Sequence, residues 1–371
     1  MHLLEPSARE RLFPLCEGLD AHAAVGAILR GAATGDVFVD DVARPRSALL
    51  RVKRRLFLAG VADNDRFTEG VKAWFGEYLY PTAAREGTVE WWLCHDGEPW
   101  ETTIATMVGE RHPIRDDSVC YEFTARRAPT ELPAGMSVRA VDQALLAQGA
   151  LRNLDALREE MCSERHTVDE FLAKSHGVCI ARADPAGDEL VSWCLSEYDH
   201  DARCEIGIET VADYRRCGHS RQAATALVER LLARGTTRIG WHCWRQNVAS
   251  RATAQRAGFT WVGEYPVYLD WFDEAANLAV NGMARLRNGD PSAALAWFAR
   301  AMAMAQAPNW AWFGAARAAA ALGRVDEARE LLSGAVARGF DDGDAFCGAA
   351  ELCVLHDSEG WRRLMGQIGA A

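Results

Sequence analysis

Apolar and polar positions alternate through residues 204–210, with β-branched side chains in the run, and a period of two predicts a strand. The polar stretch Asp213-Tyr214-Arg215-Arg216 ends it, and Gly218 permits a turn closed to residues that carry a β-carbon. Ala223, Leu227 and Leu231, flanked by Ala224 and Val228, then recur at helical spacing until Gly235. A second strand over 238–244 and a second helix over 247–257, closed by Gly258, complete a strand-turn-helix-strand-helix block.

The flanking chain is less regular. Residues 12–29 have a helical apolar rhythm, 36–40 and 47–52 are expected to pair as a hairpin around Pro45, and 57–60 reads as a third strand edge. A helix is expected over 68–80 and a strand over 118–126. In Glu90-Trp91-Trp92-Leu93-Cys94-His95-Asp96, helical spacing would put Trp91 and His95 on one face, as a packed indole with a surface histidine. This mixed α/β region, 1–130, is expected to act as a lid that shapes an acceptor pocket. Proline and glycine in Glu131-Leu132-Pro133-Ala134-Gly135 mark a linker. A domain over 136–272 then opens with a strand at 137–141, one or two helices in 144–162, and a hairpin of 178–182 with 190–198 around 184–188.

Residues 275–371 differ in kind. Gly282, Gly289, Ala294, Phe298 and Ala301 recur as Ala316, Gly323, Ala328, Leu332 and Ala335, each 34 residues on. Small residues where paired helices touch, with a bulky apolar residue between them, resemble tetratricopeptide repeats. Arg285 and Leu332 depart from the usual aromatics, and 344–355 with 359–368 would form a degenerate third pair sealed by Trp361. So few repeats are expected to pack on the preceding domain or on a second subunit. They would serve as a structural appendage or as a face for a protein partner.

At residues 215–221 a helix N-terminus, with its unpaired amides and partial positive charge, lies among Arg215, Arg216 and Arg221, which is an anion site suited to a diphosphate. There is no G-x-x-x-x-G-K-[ST] and no G-x-G-x-x-G after a strand, which argues against ATP or dinucleotide folds. Gly218-His219-Ser220-Arg221-Gln222 approaches the G-x-S-x-G elbow of serine hydrolases, but Gln222 replaces the last glycine and the apolar strand stops at Thr210.

Tyr214-Arg215-Arg216-Cys217-Gly218-His219-Ser220 resembles the R/Q-x-x-G-x-G/A pyrophosphate loop of the GNAT superfamily of acyl-coenzyme A N-acyltransferases. Asn247, Ser250 and Ala257-Gly258-Phe259 resemble the helix that follows it there. Within the superfamily, residues 1 to about 270 look most like zwittermicin A resistance-type acetyltransferases. The resemblance implies an α/β (α+β) mixed-sheet GNAT fold over 136–272, with 1–130 as a degenerate second copy. It implies acetyl-coenzyme A as cosubstrate. Backbone groups of Ile208, Glu209 and Thr210 would meet the pantetheine arm, Arg215, Arg216, Gly218, His219, Ser220 and Arg221 would hold the pyrophosphate, and Asn247 would reach the pantetheine or cap its own helix. The resemblance places a general base at Glu205, with Glu209 as second choice on the same strand face. Ala254 stands where many members have a general-acid tyrosine, which leaves Ser250 and Tyr265 as alternatives. His242 is a further candidate because its strand leads toward the cleft, although a histidine between Trp241 and Trp244 reads more readily as a core residue.

Composition narrows the function further. A formal charge of -11 argues against a nucleic-acid partner, which needs a basic face. The eleven cysteines include no C-x-x-C, so neither a metal site nor a disulfide framework is indicated. No run of eighteen apolar residues and no signal-like N-terminus occurs, so a cytoplasmic protein without membrane contact is expected. The expected activity is acetyl transfer to the primary amine of a small molecule, an antibiotic or metabolite, by direct attack. A protein acetyltransferase that recruits substrate through the repeats and a non-catalytic coenzyme A scaffold remain open.

Overall fold

The computed structural model describes residues 1–83, 85, 87–128 and 131–368. One sheet of twelve strands carries the fold. Its first six strands are β1 (His2–Leu3), β2 (Asp36–Val39), β3 (Ser47–Val52), β4 (Arg55–Gly60), β5 (Glu90–His95) and β6 (Ile114–Phe123). The other six are β7 (Met136–Ala140), β8 (Gly177–Arg182), β9 (Glu189–His200), β10 (Arg203–Thr210), β11 (Arg238–Trp244) and β12 (Phe259–Trp271).

Their spatial order is β1-β2-β3-β4-β5-β12-β6-β11-β10-β9-β8-β7. In each half the first four strands pair antiparallel in sequence order, and the fifth then joins the fourth in parallel. A parallel pair needs a crossover, supplied by helix Asp65–Trp74 between β4 and β5 and by helix His219–Ala233 between β10 and β11. The last strand of each half lies beside the parallel pair of the other: β12 next to β5, β6 next to β11.

The expected 247–257 helix is Val248–Ala257 capped by Asn247, and both predicted hairpins form. Residues 90–96 depart from expectation. They form strand β5, paired with β4, and alternation rather than helical spacing sends Trp91 and Leu93 into a buried face. That segment is therefore part of the sheet rather than a helix. The expected helix over 12–29 is interrupted at 20–22 and splits into the 3-10 helix Glu10–Leu19, with Pro14 inside it, and helix Ala23–Leu29. The expected 68–80 helix starts at Asp65 and gives way after Trp74 to a π turn over Phe75–Leu79. Among the described residues, no helix is long and apolar enough to cross a membrane.

Two compact units divide the chain. One comprises Met1–Trp74, Trp92–Met107 and Arg115–Tyr268; its core under β8–β11 joins Leu227, Leu231 and Val228 of the crossover helix to Ile180, Val191, Ile206, Ile239 and Trp241. The second comprises Phe75–Trp91, Val108–Ile114 and Leu269–Ala371. In it, helices Glu274–Arg287 and Pro291–Met302 are followed 34 residues later in register by Trp310–Ala321 and Val325–Val336, and Phe298 and Leu332 are fully buried at matching places. A β-carbon at Gly282 or Gly314 would lie 2.8 or 2.4 Å from the Phe298 ring, so glycine there lets the helices close on it. Within the same unit Arg111 grips the buried carboxylate of Asp270, and the Asn281 amide donates to the His112 carbonyl at 2.9 Å.

The turn from helix Val248–Ala257 into β12 tolerates one residue type. Gly258 has φ +99°, and a β-carbon would lie 2.0 Å from the Ala125 carbonyl oxygen. Gly258→Ala is therefore expected to lower unfolding free energy by about 2 kcal/mol or more, read by urea denaturation.

Candidate active site

The site grows from a fork in the sheet. β10 and β11 pair only through Arg203, Cys204 and Glu205, although β10 runs on to Thr210 and β11 to Trp244. Beyond Glu205 the two strands are free to part. The β9–β10 register also shifts between Arg203 and Glu205, an irregularity that re-aims side chains at this point.

Two cavities adjoin at the fork. The larger, about 1040 Å³, is lined by Ile208, Thr210, Arg215, Arg216, Gly218, His219, Ser220, Arg221 and Asn247, so every residue the motifs assigned to coenzyme A lies on one surface. The smaller, about 390 Å³, is lined by Glu205 and Tyr265 together with Arg55, Trp92, Glu160, Glu197 and His242. Ile208, Glu209, Asn247 and Ser250 line both.

In the larger cavity, helix His219–Ala233 begins at Gly218, φ +86°, with no side chain capping its first turn. The amides there remain for an anion. Arg216 stands in the left-handed region at φ +65°, and Arg221 Nε is buried with no hydrogen-bond partner among the described residues. An unanswered guanidinium nitrogen beside an uncapped helix N-terminus fits a diphosphate. Arg215 is held locally, donating to the Thr210 carbonyl at 3.1 Å and to Glu209 Oε1 at 3.3 Å. The His219 ring turns inward, with Nδ1 3.1 Å from Gln222 Oε1, so its side chain supports the loop. Asn247 Oδ1 accepts from the Ser250 amide at 3.0 Å as a helix cap, which leaves its amide nitrogen free for other use.

In the smaller cavity Glu205 is 3 % exposed and accepts the Ala23 N–H at 2.6 Å. His242 Nε2 lies 3.6 Å from Glu205 Oε1, and His242 Nδ1 lies 2.7 Å from the Tyr265 hydroxyl oxygen. His22 stacks on His242 with ring centroids 5.2 Å apart and meets Tyr265 edge-on at 4.6 Å. Burial lowers the pKa of His242, against an opposing pull from Glu205, and lowers that of His22 further, so both rings are neutral at neutral pH. Burial raises Tyr265 well above the ordinary phenol value. The donor atoms of His22, Glu205 and His242 lie within 4.8 Å of one another, two imidazoles and a carboxylate gathered at one end of the cavity.

His242 was expected in the core, and it is buried, but its ring faces Glu205 and lines the cavity. Glu209 shares a strand face with Glu205 yet sits at the open end of the fork, exposed and paired with Arg215. Ser250 Oγ accepts from Trp241 Nε1 at 3.0 Å. Ala254 is fully buried in the core. Sequence reasoning missed His22, Arg55, Glu160 and Glu197, which reach the site from distant segments with no local motif around them.

A buried ion pair braces the wall. Arg55 of β4 donates to Glu164 Oε1 at 2.8 and 3.2 Å, and the Tyr198 hydroxyl donates to Glu164 Oε2. Burial opposes the charge on both partners, but Arg55 and Arg54 hold the Glu164 carboxyl below its ordinary value, and Glu164, Tyr198 and Glu197 hold Arg55 above its own. Cys94, also in the wall, is pushed by burial up to about 12, which keeps it a thiol at neutral pH.

Comparison with known proteins places this geometry. The model of a family described as GNAT acetyltransferase matches residues 14–268. The chain belongs to that family. A tetratricopeptide repeat model matches residues 285–346. An uncharacterised N-acetyltransferase of Bacillus subtilis, YdfB, is 23 % identical over 246 residues, 66 % of this chain and 88 % of its own. The crystal structure of a GCN5-related N-acetyltransferase-like protein from Streptococcus suis aligns with TM-score 0.52 at 20 % identity, over 72 % of this chain and all of the other. A GCN5-related N-acetyltransferase from Sphaerobacter thermophilus aligns at TM-score 0.47 and 15 % identity, over 73 % of this chain and 95 % of its own. As a GNAT acetyltransferase with a tetratricopeptide tail, the chain has the mixed-sheet fold that its strand-turn-helix block suggested.

Removing Arg55 leaves Glu164 buried without its main counter-charge. Arg55→Met is expected to cost about 3–5 kcal/mol in urea unfolding. Because the folded-state pKa of Glu164 is depressed, its contribution is present above the ordinary value of 4.5 and is lost as pH falls below it. The stability gap between wild type and Glu164→Gln should accordingly narrow as pH is lowered through that range.

Proposed function

We propose that this GNAT protein transfers an acetyl group from acetyl-coenzyme A to the primary amine of a small molecule, by direct attack within a ternary complex in the cytoplasm. The observation that carries this reading is the meeting of the two cavities at the fork. An arginine- and amide-lined cavity suited to a diphosphate opens onto a carboxylate-lined one suited to an amine, and they share Ser250 and Asn247.

An amine is protonated at neutral pH and attacks only when neutral. Glu205, fixed by the Ala23 N–H, is positioned to take that proton. A Tyr265 hydroxyl that donates to His242 Nδ1 places the ring proton on Nε2, facing Glu205, so the imidazole steadies the carboxylate. The amine nitrogen forms a bond to the thioester carbonyl carbon, the carbon–sulfur bond breaks, and its electron pair leaves on sulfur. With Ala254 in place of a phenol, the Ser250 hydroxyl, which faces both cavities, is the group of this chain placed to pass a proton toward the thiolate. The high pKa of Cys94 supports direct transfer over an acyl-cysteine intermediate.

Glu205→Gln keeps the size and the hydrogen-bond acceptor while removing the base. It is expected to lower kcat by about a hundredfold or more while acetyl-coenzyme A affinity in calorimetry changes less than about twofold. Wild-type turnover in Glu205→Gln would sink the assigned role, and failure of the wild-type protein to bind acetyl-coenzyme A would sink the function.

A further inference from the structure

We propose that the acceptor carries two basic nitrogens on a short aliphatic spacer, one reacting at Glu205 while the other stays charged between Glu160 and Glu197. The inference rests on the acetyltransferase reading and names its substrate class.

Its first support is an excess of acids over bases. Glu160, Glu164, Glu197 and Glu205 gather here against Arg54 and Arg55, four carboxyl groups to two guanidiniums. Glu164 takes the close contacts of Arg55, and Glu197 receives only a 3.6 Å contact. Glu197 and Glu205 are also direct cross-strand partners in the β9–β10 register, a like-charge placement that costs stability unless a cation answers it. Burial, Glu164 and Glu205 drive the Glu197 pKa up, and burial with Glu209 and Glu164 drives up that of Glu160.

Its second support is space kept for these carboxylates. A β-carbon at Gly207 would lie 2.3 Å from Glu197 Oε1 and 4.0 Å from Glu160 Oε1. Glycine on the strand thus lets two acids from different elements converge over one backbone position.

The rest of the wall suits the spacer. The His242 side chain is 9 % exposed and lines the cavity, with Nε2 buried 3.6 Å from Glu205 Oε1. The buried indole nitrogen of Trp92 is without a hydrogen-bond partner among the described residues, and Trp92 and Trp244, 5.4 Å apart and edge to face, offer an apolar wall to a methylene chain.

One amine does not satisfy this cavity, because the nitrogen that attacks must first give up its proton and with it its charge. A second ammonium keeps its charge through the reaction and answers the acids at Gly207.

The test compares putrescine with butylamine on the full-length protein, by coenzyme A release and by calorimetry. Putrescine is expected to exceed butylamine in kcat/KM by about tenfold or more, and Glu160→Gln to cut that ratio by about tenfold through KM for putrescine. Glu160→Asp serves the same comparison if the glutamine variant fails to fold. Equal kcat/KM for the two amines, or a ratio unmoved in Glu160→Gln, overturns the inference and leaves the acetyltransferase reading intact. Tighter putrescine binding without acetylation of either amine upholds the two-nitrogen site and overturns the activity. Absence of both binding and turnover overturns both.

Discussion

The parting of β10 from β11 after Glu205 is the constraint on which the site depends. A continuous parallel ladder would occupy the strand edges and fill the space between them with side chains. Because the register stops at Glu205↔Gly240, the backbone of Ile208 to Thr210 borders a cavity instead of a neighbouring strand. The fork also fixes polarity. Its closed end holds the buried Glu205, and its open end leads to the exposed loop at Arg215 and Arg216.

What holds the closed end comes largely from the other half of the chain. Helix Ala23–Leu29 presents the N–H that fixes Glu205, and β4 sends Arg55 to neutralise Glu164. The two halves follow the same strand order, yet the turn after β4 has no arginine cluster. There Asn64 is turned to Asp40 and Ser47, at 2.9 Å each, where the corresponding turn after β10 offers Arg215, Arg216 and Arg221. The diphosphate-type cavity therefore belongs to the C-terminal half, and the N-terminal half contributes wall and counter-charge.

This division explains what the sequence disclosed. The loop at residues 215–221 is local: strand end, left-handed glycine and uncapped helix lie within a dozen residues, and local patterns survive in one dimension. The repeat unit was legible for a similar reason, since a 34-residue period writes helix contacts directly into spacing. His22, Arg55 and Trp92 meet Glu205 and His242 only through the sheet, across well over a hundred residues, and no spacing announces that. Residues 90–96 misled because two adjacent indoles fit helical as well as alternating patterns. Pairing with β4, a long-range event, decides between them. His242 misled differently: its side chain is only 9 % exposed, as a core residue's would be, but it lines the smaller cavity.

Two neighbouring cavities of opposite electrostatic character raise the question of how they avoid cancelling each other. Arginines in the larger and glutamates in the smaller are separated by lining residues that are mostly uncharged, namely Ile208, Asn247 and Ser250, with Glu209 paired to Arg215 at the boundary. Each cavity then keeps a majority of one sign, arginines outnumbering Glu131 and Glu209 in the larger and glutamates outnumbering Arg55 in the smaller. An anionic donor and a cationic acceptor approaching from either side would be drawn toward the fork without competing for the same groups. The charge that Arg55 supplies to Glu164 matters here as well. If Glu164 were left unanswered, its charge would press harder on Glu197, so the same guanidinium that closes the ion pair also steadies the acids in the wall of the smaller cavity.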